Sequence, residues 1–575
     1  MKKTIFLSII TLLSVFSVQA KHYYVKNVTN ATDWSHIVPD ANNVIVYYTT
    51  GNNFNAIFNG YAIGDTVWVA KGTYTVNLPI TPKSDMKIYG GFAGTETSLS
   101  QRAKIDLDGN GIVEPWEFKD STVVTTLLPV RALAFGTLTV PCTNTIVDGI
   151  NIQNVNNISR VAFDIVNFPT SADGCVFSNS IVKNCIVSND SIACNAAVYA
   201  NNGIVKNCLI EGNSVSNNTA LGAASSGGGL RLSSPATGTA GAMGIGCVIR
   251  GNKNENISPS KSKGGGVFIQ SAGLTNVVKL INCVVYNNQC VGTTGGVYCQ
   301  AATGAVATDK NVEVLHCTIV NNTSTTTGGG INVPMGCSLY NSIIWNNTAN
   351  TLTLPGTTDV FLTSNNTNIH NIAVGQIGGQ AIYINVDSIN IKNMIKRGLN
   401  KNATLSNTVD AGIDTITKVI GLYAPRFTAP TTFVGCPTTP EQISAMRKAA
   451  FTVMQGSPAI DFGSADYISG TVVDLMNNAR VVTTPDLGAY EYTASATEVT
   501  KVSEGTQINV SSKGMALVVQ GLKGKSNVVL YNLNGTILEN IKCNESSLTI
   551  PVSNKGIYVL KVVTLDGSKS VKVVI

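Results

Sequence analysis

The chain has 575 residues, 39 lysines and arginines against 33 aspartates and glutamates, and a formal charge of +6. That length leaves room for more than one domain. Charges this sparse and this balanced form no basic face for nucleic acid, and beyond the first twenty residues no run is apolar enough to span a bilayer.

Residues 1–20 open with Lys2 and Lys3, continue through an apolar run from Ile5 to Val18 and end at Ala20. This is the pattern of a secretory signal peptide, too short to span a bilayer. Its removal takes away both lysines and lowers the formal charge to +4. The expected mature chain is exported and carries no transmembrane segment.

From Asn43 the chain reads as short strands and turns, notably residues 64–74 and 87–97. Then comes Asp106-Leu107-Asp108-Gly109-Asn110-Gly111-Ile112-Val113-Glu114-Pro115-Trp116-Glu117. It satisfies every specified position of the calcium loop D-x-[DN]-x-[DN]-G-x5-E. Calcium takes six to eight oxygens. The side chains of Asp106, Asp108 and Asn110, the carbonyl of Ile112, Glu114 directly or through water, and bidentate Glu117 supply the expected set. No flanking helices are evident, so the expectation is an isolated loop projecting from an early coil, with a metal-free Gly-Asn-Asp turn as the plainer alternative.

Two phrases alternate from Ile146 to Asn347. One is strand-like and usually opens on glycine: residues 196–200, Gly228-Gly229-Leu230-Arg231-Leu232, Gly265-Gly266-Val267-Phe268-Ile269, Gly295-Gly296-Val297-Tyr298-Cys299 and Gly329-Gly330-Ile331-Asn332-Val333. The other is built on cysteine: Asn184-Cys185-Ile186-Val187, then the phrases at Cys208, Cys247, Cys283 and Cys317, and finally Asn341-Ser342-Ile343-Ile344. Five residues after each cysteine position stands Asp190, Asn213, Asn252, Asn288, Asn322 or Asn347. Self-similarity of this kind with β-branched strands marks a solenoid of strands, here a parallel β-helix.

Strand alternation turns each cysteine and the residue two later inward. The recurrent asparagine is expected at a turn, where it bonds along the stack and tolerates a left-handed backbone. The glycine pairs are expected to give the other corner conformations that a Cβ resists. An odd count of 13 cysteines at columnar positions fits stacked free thiols better than a disulfide framework, although neighbouring rungs lie close enough for bridges.

A solenoid presents its outward residues in columns. The glycine-phrase column is Tyr199, Arg231, Phe268, Tyr298, Asn332. The cysteine-phrase column is Ser188, Glu211, Arg250, Tyr286, Val320, Trp345. Aromatic rings with arginine suit a polysaccharide or surface glycan, which makes Tyr199, Arg231, Phe268, Tyr298, Arg250, Tyr286 and Trp345 the candidate ligand-binding residues. The competing reading is a stack that only stabilises the sheets. An enzyme of glycans needs paired carboxylates, and between residues 191 and 350 the acids are Glu211, Glu255, Asp309 and Glu313, without a local pair on the repeated strands. No catalytic residue is assigned. A lyase or glycoside hydrolase with a loop-formed site is the alternative to a non-catalytic binding or adhesion rod, and a structural surface protein is the third.

After Asn347 regularity fades. Residues 439–452 have helical character, with Thr439-Pro440-Glu441 as the start. Residues 456–492 include Asp461, Asp474, Arg480, Asp486 and Glu491, and are expected to cap the solenoid, Arg480 pairing with Asp461, Asp486 or Glu491. Residues 496–506 read as a linker. Residues 507–575 carry β-rich runs around Asn534-Gly535 and Leu565-Asp566-Gly567, signals of antiparallel hairpins and of a small β-sandwich.

These phrases resemble known families. The opening coils look like those of exported bacterial right-handed β-helix proteins, the glycine-pair phrases resemble repeats of polymorphic outer-membrane proteins, and residues 456–492 resemble the closing segment of choice-of-anchor β-helix proteins. The ending Gly556-Ile557-Tyr558-Val559-Leu560-Lys561-Val562 is similar to the sorting domain of type IX secretion. The resemblances imply an all-β protein, a right-handed parallel β-helix over residues 21–495 followed by the sandwich. They also imply that the C-terminal domain meets the secretion machinery and that the protein ends extracellular or at the outer-membrane surface.

Overall fold

The computed structural model describes residues 20–575 apart from 29–31, 50–53, 138–139, 158–163, 171, 189–193, 217–223, 238–240, 257, 350–358, 363–367, 376–381, 385–388, 397–402, 411–424, 469–472, 482, 494–507, 523–524, 533–535 and 565–566. The expected signal peptide up to residue 19, the linker and the Asn534-Gly535 turn therefore lie outside the described residues. The chain divides into two compact units, Met1–Tyr492 and Thr493–Ile575.

The first unit is a right-handed parallel β-helix. One coil shows how the sequence makes the turns. Ile204–Lys206 ends at Asn207 (φ 52°), Leu209–Glu211 ends at Gly212 (φ 65°), Ser214–Ser216 follows, and Leu230–Ser233 is the glycine-phrase strand. Every such strand pairs in parallel with its equivalents in the neighbouring coils. Inside, Val182, Ile210, Ile249, Val285, Ile319 and Ile344 form one fully buried column.

The structure splits the role expected of the recurrent asparagine. Asn213, Asn252, Asn288, Asn322 and Asn347 are fully buried and form an internal ladder. Each Nδ2 donates to the Oδ1 of the next, at 2.9, 3.0, 3.0 and 2.9 Å, and Asn347 donates to Asp359 Oδ1 at 2.9 Å. The left-handed residue is the one before, Gly212, Gly251, Asn287, Asn321 and Asn346, with a second left-handed column just before the cysteines, at Asn207, Gly246, Asn282 and His316, and before Ser342 at Asn341. A side chain aimed inward and a backbone turned left-handed are separate requirements, so adjacent residues meet them.

The paired glycines also differ from expectation. Gly229, Gly265, Gly266, Gly295 and Gly296 do not have positive φ; the left-handed residue is the one preceding each pair, at Gly227, Gly264, Thr294 and Gly328. What the pairs allow is close approach. A Cβ on Gly266 would sit 2.8 Å from Val285 Cγ1 and 2.9 Å from Asn288 Nδ2, so the glycine strand is pressed against the asparagine ladder.

The first cysteine phrase is out of register with the others. Ile181–Lys183, not Ile186–Ser188, pairs with Leu209–Glu211, which places Ser180 opposite Cys208 and Lys183 opposite Glu211. Cys185 instead heads the ladder, its backbone N–H donating to Asn213 Oδ1 at 3.0 Å, and Ser188 faces Ser216. The cause is a tandem echo, Asn179-Ser180-Ile181-Val182 followed by Asn184-Cys185-Ile186-Val187. All thirteen cysteines are free and buried.

Helix α1, Phe54–Asn59, was not expected. Its Phe54 and Phe58 pack with Tyr48, Tyr74 and Ile80 on the first coils of the core. Helix α2, Pro440–Arg447, starts where expected, with Thr439 Oγ1 accepting from Gln442 N, but ends sooner. Residues Ala450–Val453 form a strand paired antiparallel with Phe427–Ala429.

The closing segment does not act as an end cap among the described residues. Residues 425–492 lie along the flank, over the outward side of the cysteine-phrase strands. Met446, Phe451, Leu475, Leu487 and Tyr490 share one apolar cluster with Ile181, Leu209, Val248, Val284, Ile343 and Ala373. Left-handed asparagines tie this strap down: Asn282 Nδ2 donates to Val473 O, Asn287 Nδ2 to Gly435 O at 2.9 Å, Asn341 Nδ2 to Ser464 O at 2.9 Å and Asn371 Nδ2 to Phe462 O at 2.8 Å. Arg480 pairs with Glu491 at 3.1 Å and donates to Asn282 Oδ1 at 2.9 Å. Glu491, Asp474 and Asp486 accept the strap's own backbone N–H groups, which makes these acids a structural knot.

The second unit is an antiparallel sandwich. One sheet contains Asn509–Ser512, Ala516–Gln520 and Ser547–Pro551, the other Ile537–Cys543, Ser526–Asn532, Ile557–Thr564 and Gly567–Val574. Leu517, Val519, Val528, Leu530, Ile550, Leu560 and Val562 fill the space between them.

Candidate functional site

The loop at residues 106–117 is closed by backbone pairing in place of helices: Lys104 bridges Phe118 antiparallel, and Ile105 N donates to Glu117 O at 3.1 Å. Gly109 and Gly111 take positive φ, 76° and 84°, which lets short carboxylates turn inward. Oxygens of Asp106, Asp108 and Glu117 lie within 4.8 Å of one another. Asn110 Nδ2 donates to Glu114 Oε1 at 2.7 Å, and Asn110 Oδ1 accepts from Ile112 N at 2.7 Å. Glu114 is 3% exposed and its Oε2 has no hydrogen-bond partner. Burial, and then the adjoining Glu117 carboxyl, push Glu114 up to about 9.

This donor set fits a hard divalent cation. Three convergent carboxylates and an orphaned buried oxygen are the groups such an ion satisfies, and calcium there would be held by Asp106, Asp108 and Glu117 with Glu114 beside them. Bound calcium would supply positive charge that fixes the loop.

Arg250, Tyr286 and Trp345 are not available as a glycan surface. The strap covers their column, leaving Arg250 and Tyr286 2% exposed and Trp345 9%. A long outward column of apolar and aromatic side chains is what a covering segment needs, and the strap supplies the cover. Arg250 is the centre of a buried network. It bonds Asp108 Oδ2 at 2.9 Å, Glu211 Oε2 at 2.7 Å and Tyr286 Oη at 2.9 Å. Arg447 of α2 grips the other oxygen of Glu211 at 2.6 Å, and Tyr286 Oη donates to Met446 O at 3.0 Å.

The glycine-phrase column has the register expected, Tyr199, Arg231, Phe268, Tyr298 and Asn332 side by side on successive coils. Stacking changes what it offers. The rings of Phe268 and Tyr298 lie 5.4 Å apart and 3° from parallel, and the Arg231 guanidinium sits 5.0 Å from the Tyr199 ring and 5.1 Å from that of Phe268. Ring faces that a sugar would cover are covered by neighbours, and Phe268 is 3% exposed. Phe268 is therefore a stabiliser of the sheet, while Tyr199, Arg231 and Tyr298 keep partial exposure.

A groove follows this face beside the column. One part, about 550 Å³, is lined by Arg131, Asp164, Asn167, Asn195, Tyr199 and Asn201 among others. A second part, about 680 Å³, shares Tyr199 and Asn201 and continues to Ser233 and Gln270. Asp164 is held by Arg131 Nε at 2.8 Å and Asn167 Nδ2 at 2.9 Å, and burial raises its pKa while Arg131 opposes the rise. Arg231 donates to Asn195 Oδ1 at 2.5 Å and to Gln270 Oε1 at 3.1 Å. Tyr199 and Arg231 were read from sequence. Asp164, Arg131, Asn167 and Asn201 belong to coils without the glycine pair that marks the phrase.

No family model matches the chain, and no curated protein matches it. Among solved structures, it is similar to the Agl-KA catalytic domain at 12% identity, TM-score 0.25, over 63% of this chain and 66% of that one. A hyperthermoactive exopolygalacturonase from Thermotoga maritima is similar at 11% identity, TM-score 0.18, over 60% and 84%. The chain thus spans just under two thirds of the length of the first, and the activities named belong to those proteins.

Proposed function

We propose that this is an exported, cell-surface β-helix protein that holds glycan chains without cleaving them, through the groove beside Tyr199. The groove itself carries the reading. Its two parts share Tyr199 and Asn201, it is lined by amides, hydroxyls and Arg131 suited to sugar hydroxyls, and among the described residues lining its two parts Asp164 is the one carboxylate. The resemblance of residues 1–20 to a signal peptide and of the C-terminal sandwich to a type IX sorting domain supports export and surface retention.

A glycan array probed with the full chain tests it, alongside reducing-sugar and unsaturated-product release from the same polysaccharides. Binding without product, weakened about tenfold in Tyr199→Ala, about 1.4 kcal/mol, is the expected result. Asp164 favours the second reading, since a buried carboxyl of raised pKa in a groove is the form a general acid takes. Product release that disappears in Asp164→Asn would establish a glycoside hydrolase and overturn the binding reading.

A further inference from the structure

We infer that the loop at residues 106–117 is a calcium site whose occupancy locks the closing strap, residues 425–492, onto the β-helix. Two observations point to the ion: the oxygens of Asp106, Asp108 and Glu117 converge within 4.8 Å, and Glu114, 3% exposed, has an oxygen with no partner. Without an ion the buried Glu114 oxygen faces only the adjoining Glu117 carboxyl, and two carboxyls side by side are costly unless one of them holds a proton; a divalent cation satisfies both.

The link to the strap is a chain of charge-assisted bonds. Asp108 presents Oδ2 to Arg250 at 2.9 Å, while its Oδ1 accepts from Asn110 N at 3.2 Å on the loop side. Arg250 and Arg447 grip opposite oxygens of Glu211, and Arg250 Nη1 also donates to Arg447 O at 3.3 Å. The loop's Trp116 lies in the same apolar cluster as Met446, Phe451 and Tyr490 of the strap. An ion that fixes Asp108 therefore fixes the guanidinium on which α2 is seated. Without it, repulsion among the loop carboxylates would weaken the seating of Asp108, which Arg250 would then anchor alone among cations. Calcium and not magnesium suits the site, because an irregular set of carboxylates on a glycine-turned loop gives the larger, flexible coordination sphere.

The test uses the full chain. Calcium chloride is titrated by calorimetry into chelator-treated protein, with magnesium chloride as the comparison, and hydrogen exchange is followed in residues 440–453 with and without calcium. The expected result is one saturable calcium site, in the range of about 0.1–1 mM for extracellular modules of this kind, and exchange in residues 440–453 slowed about tenfold by calcium. Asp106→Asn, on an exposed residue that does not touch Arg250, should abolish both effects and leave exchange at the chelated level. Arg250→Lys should keep calcium binding and lose the protection of the strap. No saturable calcium binding by 10 mM would overturn the site, about ten times the weakest affinity of such modules. Binding with unchanged exchange in residues 440–453 would overturn the lock.

Discussion

Asn288→Ala cuts the internal ladder at its middle. In the native chain Asn288 Oδ1 accepts from the backbone N–H of Asn252 at 2.9 Å and from its Nδ2 at 3.0 Å, and Asn288 Nδ2 donates to Ile249 O at 2.9 Å. Asn252 Nδ2 keeps two other acceptors, Ile210 O and Arg250 O, and Asn322 Oδ1 still receives the Asn288 backbone N–H at 3.0 Å. Two groups are therefore harmed: the Asn252 N–H loses its acceptor and the Ile249 carbonyl loses a donor. A buried polar group left unsatisfied costs about 1–3 kcal/mol, so two of them should cost about 2–6 kcal/mol, with a small void added. Native-state hydrogen exchange is the suitable assay because a solenoid opens locally. Loss should concentrate in the rungs of Asn252, Asn288 and Asn322, with Gln289→Ala next door costing less than about 0.5 kcal/mol. Equal, small effects from both substitutions would refute the claim that the ladder holds the coils together.

Gly266→Ala should destabilise by about 1–3 kcal/mol through overpacking, since its Cβ would meet Val285 and Asn288 at 2.8 and 2.9 Å; urea unfolding measures it, and a neutral outcome would mean the coils part easily. A membrane-impermeant thiol reagent should label almost none of the thirteen buried cysteines in the native chain and all thirteen after denaturation without reductant, and mass spectrometry counts the adducts. Burial raises Asp486 to about 6, with the N–H groups of Asp461 and Tyr492 opposing the rise. The folded chain then binds the proton more tightly than the unfolded one, so this group's contribution is present below about pH 4 and is lost as pH rises through about 6. Asp486→Asn should remove at most about 3 kcal/mol of that pH dependence, less by what solvent screens, read as a flatter curve of melting temperature against pH between 4 and 6.

The periodic parts of the fold were legible because period and chemistry coincide. An inward β-branched residue two after each cysteine and an outward residue after that give the register of Glu211, Arg250, Tyr286 and Val320 directly, and the glycine phrases give that of Tyr199, Arg231, Phe268 and Tyr298. Where two phrases were alike, as at Ser180 and Cys185, local pattern gave no way to choose, and the pairing of Lys183 with Glu211 decided it. Phe268 and Arg250 show the other limit. Alternation tells which way a side chain points from its strand, but not what lies over it: the neighbouring coils' Arg231 and Tyr298 for Phe268, and the distant Asp108 and α2 for Arg250. Arg250 pointed outward as read, into the underside of the strap. The loop at residues 106–117 was legible residue by residue because its ligands are consecutive, whereas the groove around Asp164 is assembled across coils whose only shared feature is their place in the stack.

The strap also bears on the order in which the chain folds. Coils can stack as soon as neighbours exist, since those contacts join residues a few dozen apart. The bonds from Arg447 to Glu211 and from Arg480 to Asn282 close separations of 236 and 198 residues. Such closures are slow to find and come late. Until they form, the apolar flank from Ile181 to Ala373 stays uncovered, so the solenoid remains a loosely coupled array that can open coil by coil. Once the strap docks, it spans coils that otherwise touch only their neighbours, and opening any of them requires lifting it. Strap docking thus couples coils that stacking alone leaves independent, and it waits until nearly the whole of the first unit has been delivered.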